Sequence, residues 1–142
     1  MLDKTFLNRK IKLIQEDLAR LEPLAKTSLE EADEGSVEYA ATERMLERIV
    51  TRAIDVNRHI IAEIGKGSES VKTSEETFLV LAKLGIYPEG FAKTIAPSAG
   101  LRNILVHEYD EIKINKVYES AKQALDQYAQ YCDFLLAFTT KK

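Results

Sequence analysis

Apolar residues recur along this chain at steps of three and four, and the strict alternation of a half-buried strand is absent, so the pattern predicts an all-α protein. Leu7, Ile11, Ile14, Leu18 and Leu21 form one stripe of a first helix, which Pro23 kinks or ends. The polar stretch EEADEGSVE follows, with Gly35 and Ser36 marking a turn or break. A second helix is expected from about Val37 to Ile64, with Leu46, Ile49, Val50, Ala53, Ile60 and Ile64 on its core side and Gly65 at its end. It would be roughly 42 Å long, a length suited to a bundle spine or a dimer contact.

The segment GKGSESVKTS is polar but short, which makes it a loop between helices rather than a domain boundary. Thr73 and Glu76 have the spacing of a capping box for a short third helix, and Gly85 stands where its C-terminal cap belongs. Pro88 fits the first turn of the next helix, EGFAKTIA, which is broken at Pro97. Ser98 is a candidate N-cap for a helix of about ten residues that carries the stretch RNILVHEYD. After the polar DEIK, Ile114, Val117, Ala121, Leu125, Tyr128, Cys132 and Leu135 mark the last helix. The expected architecture is an antiparallel helical bundle of four to five main helices, with residues 1–142 forming one domain.

Charge narrows the functions open to such a bundle. A formal net charge of −3 gives no general electrostatic affinity for nucleic acid, so any contact with phosphate must be local. The single Cys132, set among Tyr131, Phe134 and Leu135, cannot form an internal disulfide and is expected to be a buried thiol in a cytoplasmic protein. No apolar run approaches the roughly 20 residues of a membrane span, and MLDKTFLNRK lacks a signal-peptide core. Two histidines and one buried cysteine without a Glu-x-x-His pair do not build the usual metal sites, so no metal or other cofactor is expected. Neither a phosphate-binding glycine loop nor a serine or cysteine nucleophile elbow is present.

The chemistry is concentrated in RNILVHEYD, residues 102–110. On an ideal helix with Arg102 at zero, Leu101, Ile104 and Leu105 fall between about 200° and 300° and form a core face, while Asn103 lies near 100° and His107 near 140°. Asn103 and His107 are four apart and can share a hydrogen bond that orients the imidazole. Tyr109 falls beside Arg102. Histidine exchanges protons near neutral pH, and arginine offers a permanently charged fork for phosphate oxygens. These are the groups needed to cleave RNA without a metal, because the nucleophile, the 2′-hydroxyl, belongs to the substrate. Arg102 and His107 nevertheless point about 140° apart on one helix, so a single copy does not converge them. A two-fold dimer in which two such helices face one another gathers both pairs in a shared cleft.

The segment SAGLRNILVHEYD resembles the signature of HepT-like toxins of the HEPN superfamily: Arg, four residues, His, one residue, Tyr, with Asn commonly after the Arg. Arg102, Asn103, His107 and Tyr109 fill all four places, and ERIVTRAIDVNRHIIAE (47–63) resembles that family's second helix. The loop GKGSESVKTSEETF departs from many relatives, which carry a proline where VKT stands. The resemblance implies a homodimeric, all-helical, metal-independent endoribonuclease, the toxin of a toxin–antitoxin pair. Arg102 and His107 would be catalytic and Asn103 supporting. A minimal nucleotidyltransferase antitoxin would silence the toxin by AMPylation of Tyr109. The alternative is a non-catalytic helical module that binds a nucleotidyltransferase.

Other candidates have plainer expectations. His59, four residues after Asp55, is a possible second base but is expected to be structural or exposed. Arg44, Arg48 and Arg52 form a basic stripe that either guides RNA or is a salt-bridged solvent face, the second being favoured. Tyr118, Tyr128 and Tyr131 can stack bases, yet their helical spacing suits core or interface.

Overall fold

The computed structural model describes residues 2–26, 36–65, 71–106 and 111–141, without the side chains at 102, 103, 106, 111–113 and 141. Helix α1 (Lys4–Ala25) opens on Asp3, whose carboxylate accepts from the Phe6 amide at 3.0 Å and satisfies one of the N–H groups left over at a helix start. The stripe from Leu7 to Leu21 is buried as its spacing requires, and Pro23 lies in the last turn. Helix α2 (Val37–Ile64) starts where Ser36 accepts from the Tyr39 amide at 3.0 Å. Gly65 caps its C-terminus, where a Cβ would stand 2.6 Å from the Ile61 carbonyl oxygen.

Helix α3 (Ser74–Lys83) has the expected Thr73 cap, whose hydroxyl accepts from the Glu76 amide at 3.1 Å. Gly85 turns the chain with φ +82, a left-handed conformation that a Cβ disfavours. Around it the Gly85 amide donates to the Ala82 carbonyl and the Ile86 amide to the Leu81 carbonyl, the paired closure of a Schellman motif. Pro88 stands at the N-cap of α4 (Glu89–Ile95), one place outside the first turn where the sequence suggested it. The chain then tightens into a 3-10 helix over Ala96–Gly100 before α5 (Leu101–Val106). Helix α6 (Glu111–Lys141) takes in residues 111–113, which the periodicity left ahead of the helix.

The elements pack as an all-α antiparallel bundle, and the described residues include no strand. Helix α1 lies along both α2 and α6; α3 and α4 cover one end, and the 3-10 helix and α5 sit against α2 and α6. Tyr39, Tyr118, Tyr128, Tyr131 and Phe78 are its bulkiest fully buried side chains, so the tyrosines of the last helix are core residues.

The hydroxyls of Tyr128 and Tyr131 are hydrogen-bonded. The Tyr131 hydroxyl donates to Asn57 Oδ1 at 2.6 Å, the Asn57 amide donates to Thr77 Oγ1 at 3.1 Å, and Thr77 donates to the Ser74 carbonyl at 2.6 Å. This relay ties α6 to α2 and α3 through groups that would be costly to bury unpaired. Tyr87, after α3, donates to the Phe78 carbonyl at 2.7 Å. Cys132 is a buried free thiol, as its neighbours implied.

Candidate active site

Helix α5 is held by its apolar side. Leu101 is buried, and Ile104 and Leu105 are half-buried against the core cluster, the three positions that the ideal-helix phases assigned inward. The first turn of α5 carries the backbone of Arg102 and Asn103; His107 and Tyr109 lie outside the described residues. Ser98 is not the N-cap of a ten-residue helix. It sits inside the 3-10 helix, and its hydroxyl makes a 2.6 Å hydrogen bond with the Tyr128 hydroxyl of α6. Burial pushes the Tyr128 phenol above its ordinary range, while the bond to Ser98 acts in the opposite direction. That contact anchors the segment entering α5 to the middle of α6.

Beside α5 runs a groove of about 230 Å³ between the 3-10 helix, α5 and α6. Pro97, Leu101, Ile104 and Ala124 supply its apolar surface. Lys116, Ser120, Gln123 and Gln127 line it from α6, and Thr94 and Ser98 from the opposite side. Apolar spacing in the last helix marks only its core stripe and does not single out these polar positions. Their own spacing of four, three and four was the available signal, since it defines one helix face next to the buried one.

The remaining candidates take structural places. His59 is half-buried on α2, its ring centroid 4.5 Å from that of Phe6, and its Nε2 is buried with no hydrogen-bond partner among the described residues. The arginine stripe is occupied by carboxylates: Arg44 pairs with Glu47 at 3.3 Å, while Arg48 and Arg52 both reach Asp17 of α1. Asp17 is fully buried and also pairs with Arg20. This is the salt-bridged alternative for the stripe, extended into a clamp between α1 and α2. Among the described residues no three His, Cys, Asp or Glu side chains cluster to hold a metal, and no helix is long and apolar enough to cross a membrane.

The fold comes first: it is a helical bundle shared with solved toxin–antitoxin structures. A tri-AMPylated Shewanella oneidensis HEPN toxin in complex with an MNT antitoxin superposes with a TM-score of 0.78 at 24% identity, covering 96% of this chain and 99% of that one. A toxin–antitoxin structure with AMP-PNP gives 0.77 at 23% identity, covering 95% and 99%. Sequence then gives the family. It belongs to the ribonuclease HepT-like family, whose model matches residues 14–135. It is 37% identical over 130 residues to the tRNA nuclease HepT of Aphanizomenon flos-aquae, covering 92% of this chain and 87% of that relative. It is 27% identical over 92 residues to the mRNA nuclease HepT of Shewanella oneidensis, covering 65% and 68%.

Proposed function

We propose that this chain is a metal-independent endoribonuclease toxin that works as a homodimer in the cytoplasm, with Arg102 and His107 as its catalytic groups. The observation that carries this reading is the family membership over nearly the whole chain, combined with all four places of the motif being filled. The anchoring of α5 through Leu101, Ile104 and Leu105 supports it, because it holds the backbone on which the motif opens against the core.

In the proposed reaction one His107 takes the proton of a ribose 2′-hydroxyl, and the 2′-oxygen attacks the adjacent phosphorus. The bond from phosphorus to the 5′-oxygen breaks, and that oxygen takes a proton from the second copy of His107. The products are a 2′,3′-cyclic phosphate and a 5′-hydroxyl, with no net change in protons. The Arg102 guanidinium stabilises the charge that grows on the phosphoryl oxygens, and Asn103 steadies the imidazole by a side-chain hydrogen bond. Two copies are needed because on one ideal helix the pair would diverge.

The regulator of this reading is a minimal nucleotidyltransferase antitoxin that transfers AMP from ATP to the Tyr109 hydroxyl, releasing pyrophosphate. The added phosphate and nucleoside occupy the RNA site, pair with Arg102 and repel the incoming backbone.

Purified protein incubated with RNA in excess chelator should produce 2′,3′-cyclic ends, and Arg102→Ala or His107→Ala should lower the rate by roughly 10² to 10⁴ while the protein stays folded. Equal cleavage by wild type and His107→Ala would reject the catalytic assignment and leave the non-catalytic module. Mass spectrometry after incubation with the nucleotidyltransferase and ATP should place AMP on the peptide containing Tyr109. Label that persists in Tyr109→Phe would remove that residue from the scheme.

A further inference from the structure

We propose that the groove between the 3-10 helix, α5 and α6 is a base-reading subsite, which seats one nucleobase flanking the cleaved phosphate and selects it through Gln123 and Gln127. The inference rests on the ribonuclease reading and adds where sequence preference would reside.

Three features define the occupant. The first is position. Helix α6 runs back along α5, and the Ser98 to Tyr128 bond fixes the register, so Ile104 and Lys116 lie at the end of the groove nearer the passage of the chain from α5 to α6, with Ser98 and Gln127 at the other. A nucleotide following the cleaved phosphate along the chain of the substrate would enter from the Lys116 end.

The second is surface chemistry. Leu101 and Ala124 are buried, Ile104 is half-buried, and with Pro97 they present an apolar surface suited to a base face but not to a hydrated phosphate. The third is the hydrogen-bonding rim. Gln123 and Gln127 are four apart on one face of α6, and each carries both a donor and an acceptor, the combination needed to read the edge of an unpaired base.

Charge points the same way. Lys116 and Glu119 both line the groove, so the lysine does not create a broad positive strip. A path for the sugar–phosphate backbone would carry an excess of cations, as phosphate contacts dominate sequence-independent binding. Here Lys116, offset by Glu119, is the cation of the described lining, and the amides form the rim. That distribution fits a single phosphate contact followed by recognition of a base.

The test separates binding from cleavage. The His107→Ala protein, with and without Gln123→Ala/Gln127→Ala, is titrated by fluorescence anisotropy with short single-stranded oligo(A), oligo(C), oligo(G) and oligo(U). The parent should discriminate among them by roughly tenfold, and the amide-less protein should bind them within about twofold of one another. Lys116→Ala should weaken all of them alike and reduce the dependence of log affinity on log salt by about one unit.

Circular dichroism and the oligomeric mass of each variant must match the parent, because the glutamines are offered as surface contacts. In the cleaving protein, the same double substitution should flatten the base preference on one side of the cut while cleavage of mixed RNA persists. An unchanged order of preference in the double variant, or a parent that binds the four oligomers equally, would overturn the subsite. Selective binding that depends on the glutamines, in a protein that cuts no RNA, would uphold the subsite and overturn the nuclease.

Discussion

Replacing Asp17 tests whether the buried carboxylate is the principal polar clamp between α1 and α2. Its side chain is fully buried, and three arginines approach it with exposures of 19% for Arg52, 32% for Arg48 and 59% for Arg20. These exposures decide the weight of each pair. Arg52, which also donates to the Leu13 carbonyl at 3.4 Å, makes a partly desolvated charge-assisted bond worth about 2 kcal/mol. Arg48, at 3.3 Å and more solvated, contributes about 1 kcal/mol, and the exposed Arg20 pair almost nothing.

Asp17→Ala should therefore lower stability by about 3 kcal/mol, or shift the thermal midpoint by roughly 10 °C in a chain of this size. Asp17→Asn, which keeps the shape and one acceptor, should cost about half as much. Urea unfolding followed by helical circular dichroism at fixed protein concentration measures these losses, and a double-mutant cycle with Arg52→Met isolates the main pair. A cycle coupling energy below about 0.5 kcal/mol would show that α1 is held by its apolar stripe alone and refute the reasoning.

Three further outcomes follow from the core and the turns. Burial pushes the Cys132 thiol from 9.0 up to about 12, and raises Tyr87, Tyr128 and Tyr131 above their ordinary 10.0. The folded protein thus holds protons that the unfolded chain releases from about pH 9 upward, so stability should be independent of these groups below pH 9 and fall as pH rises toward 12. A pH series of urea midpoints checks the sign, and native protein at pH 8 should resist maleimide until it is unfolded.

Tyr131→Phe leaves Asn57 Oδ1 and the Ala53 carbonyl buried without that hydroxyl, and should cost about 1 to 3 kcal/mol in the same unfolding assay. A neutral result would mean that water replaces the lost donor. Gly85→Ala meets no atom within 4 Å, so its loss, about 1 kcal/mol, should come from the left-handed backbone alone. Gly85→Asn should recover part of that loss.

Much of the helical frame was legible in the chain because local rules and tertiary demands agree there. The bounds of α2, the Thr73 cap, the Gly85 turn and the inward face of α5 each follow from spacing or cap chemistry within a few residues, and packing preserves them. Where the two levels compete, the sequence alone misleads. Ser98 has the composition of an N-cap, yet the Tyr128 hydroxyl lies thirty positions away in the chain and claims it in the fold. The amide face of α6 was hidden for a related reason: polar residues on a helix look like solvated surface until a neighbouring element supplies the opposite wall.

The motif shows the same division. Its four residue types, and hence the acid–base and phosphate-binding chemistry they offer, are written in residues 102–109, because chemistry belongs to side chains. The sequence determined the course of the long helices, the Thr73 and Gly85 caps and the identity of those reactive groups. Tertiary structure alone decided that Asp17 gathers arginines from two helices and that α5 and α6 enclose a groove, because both depend on which distant surfaces the hydrophobic core brings together.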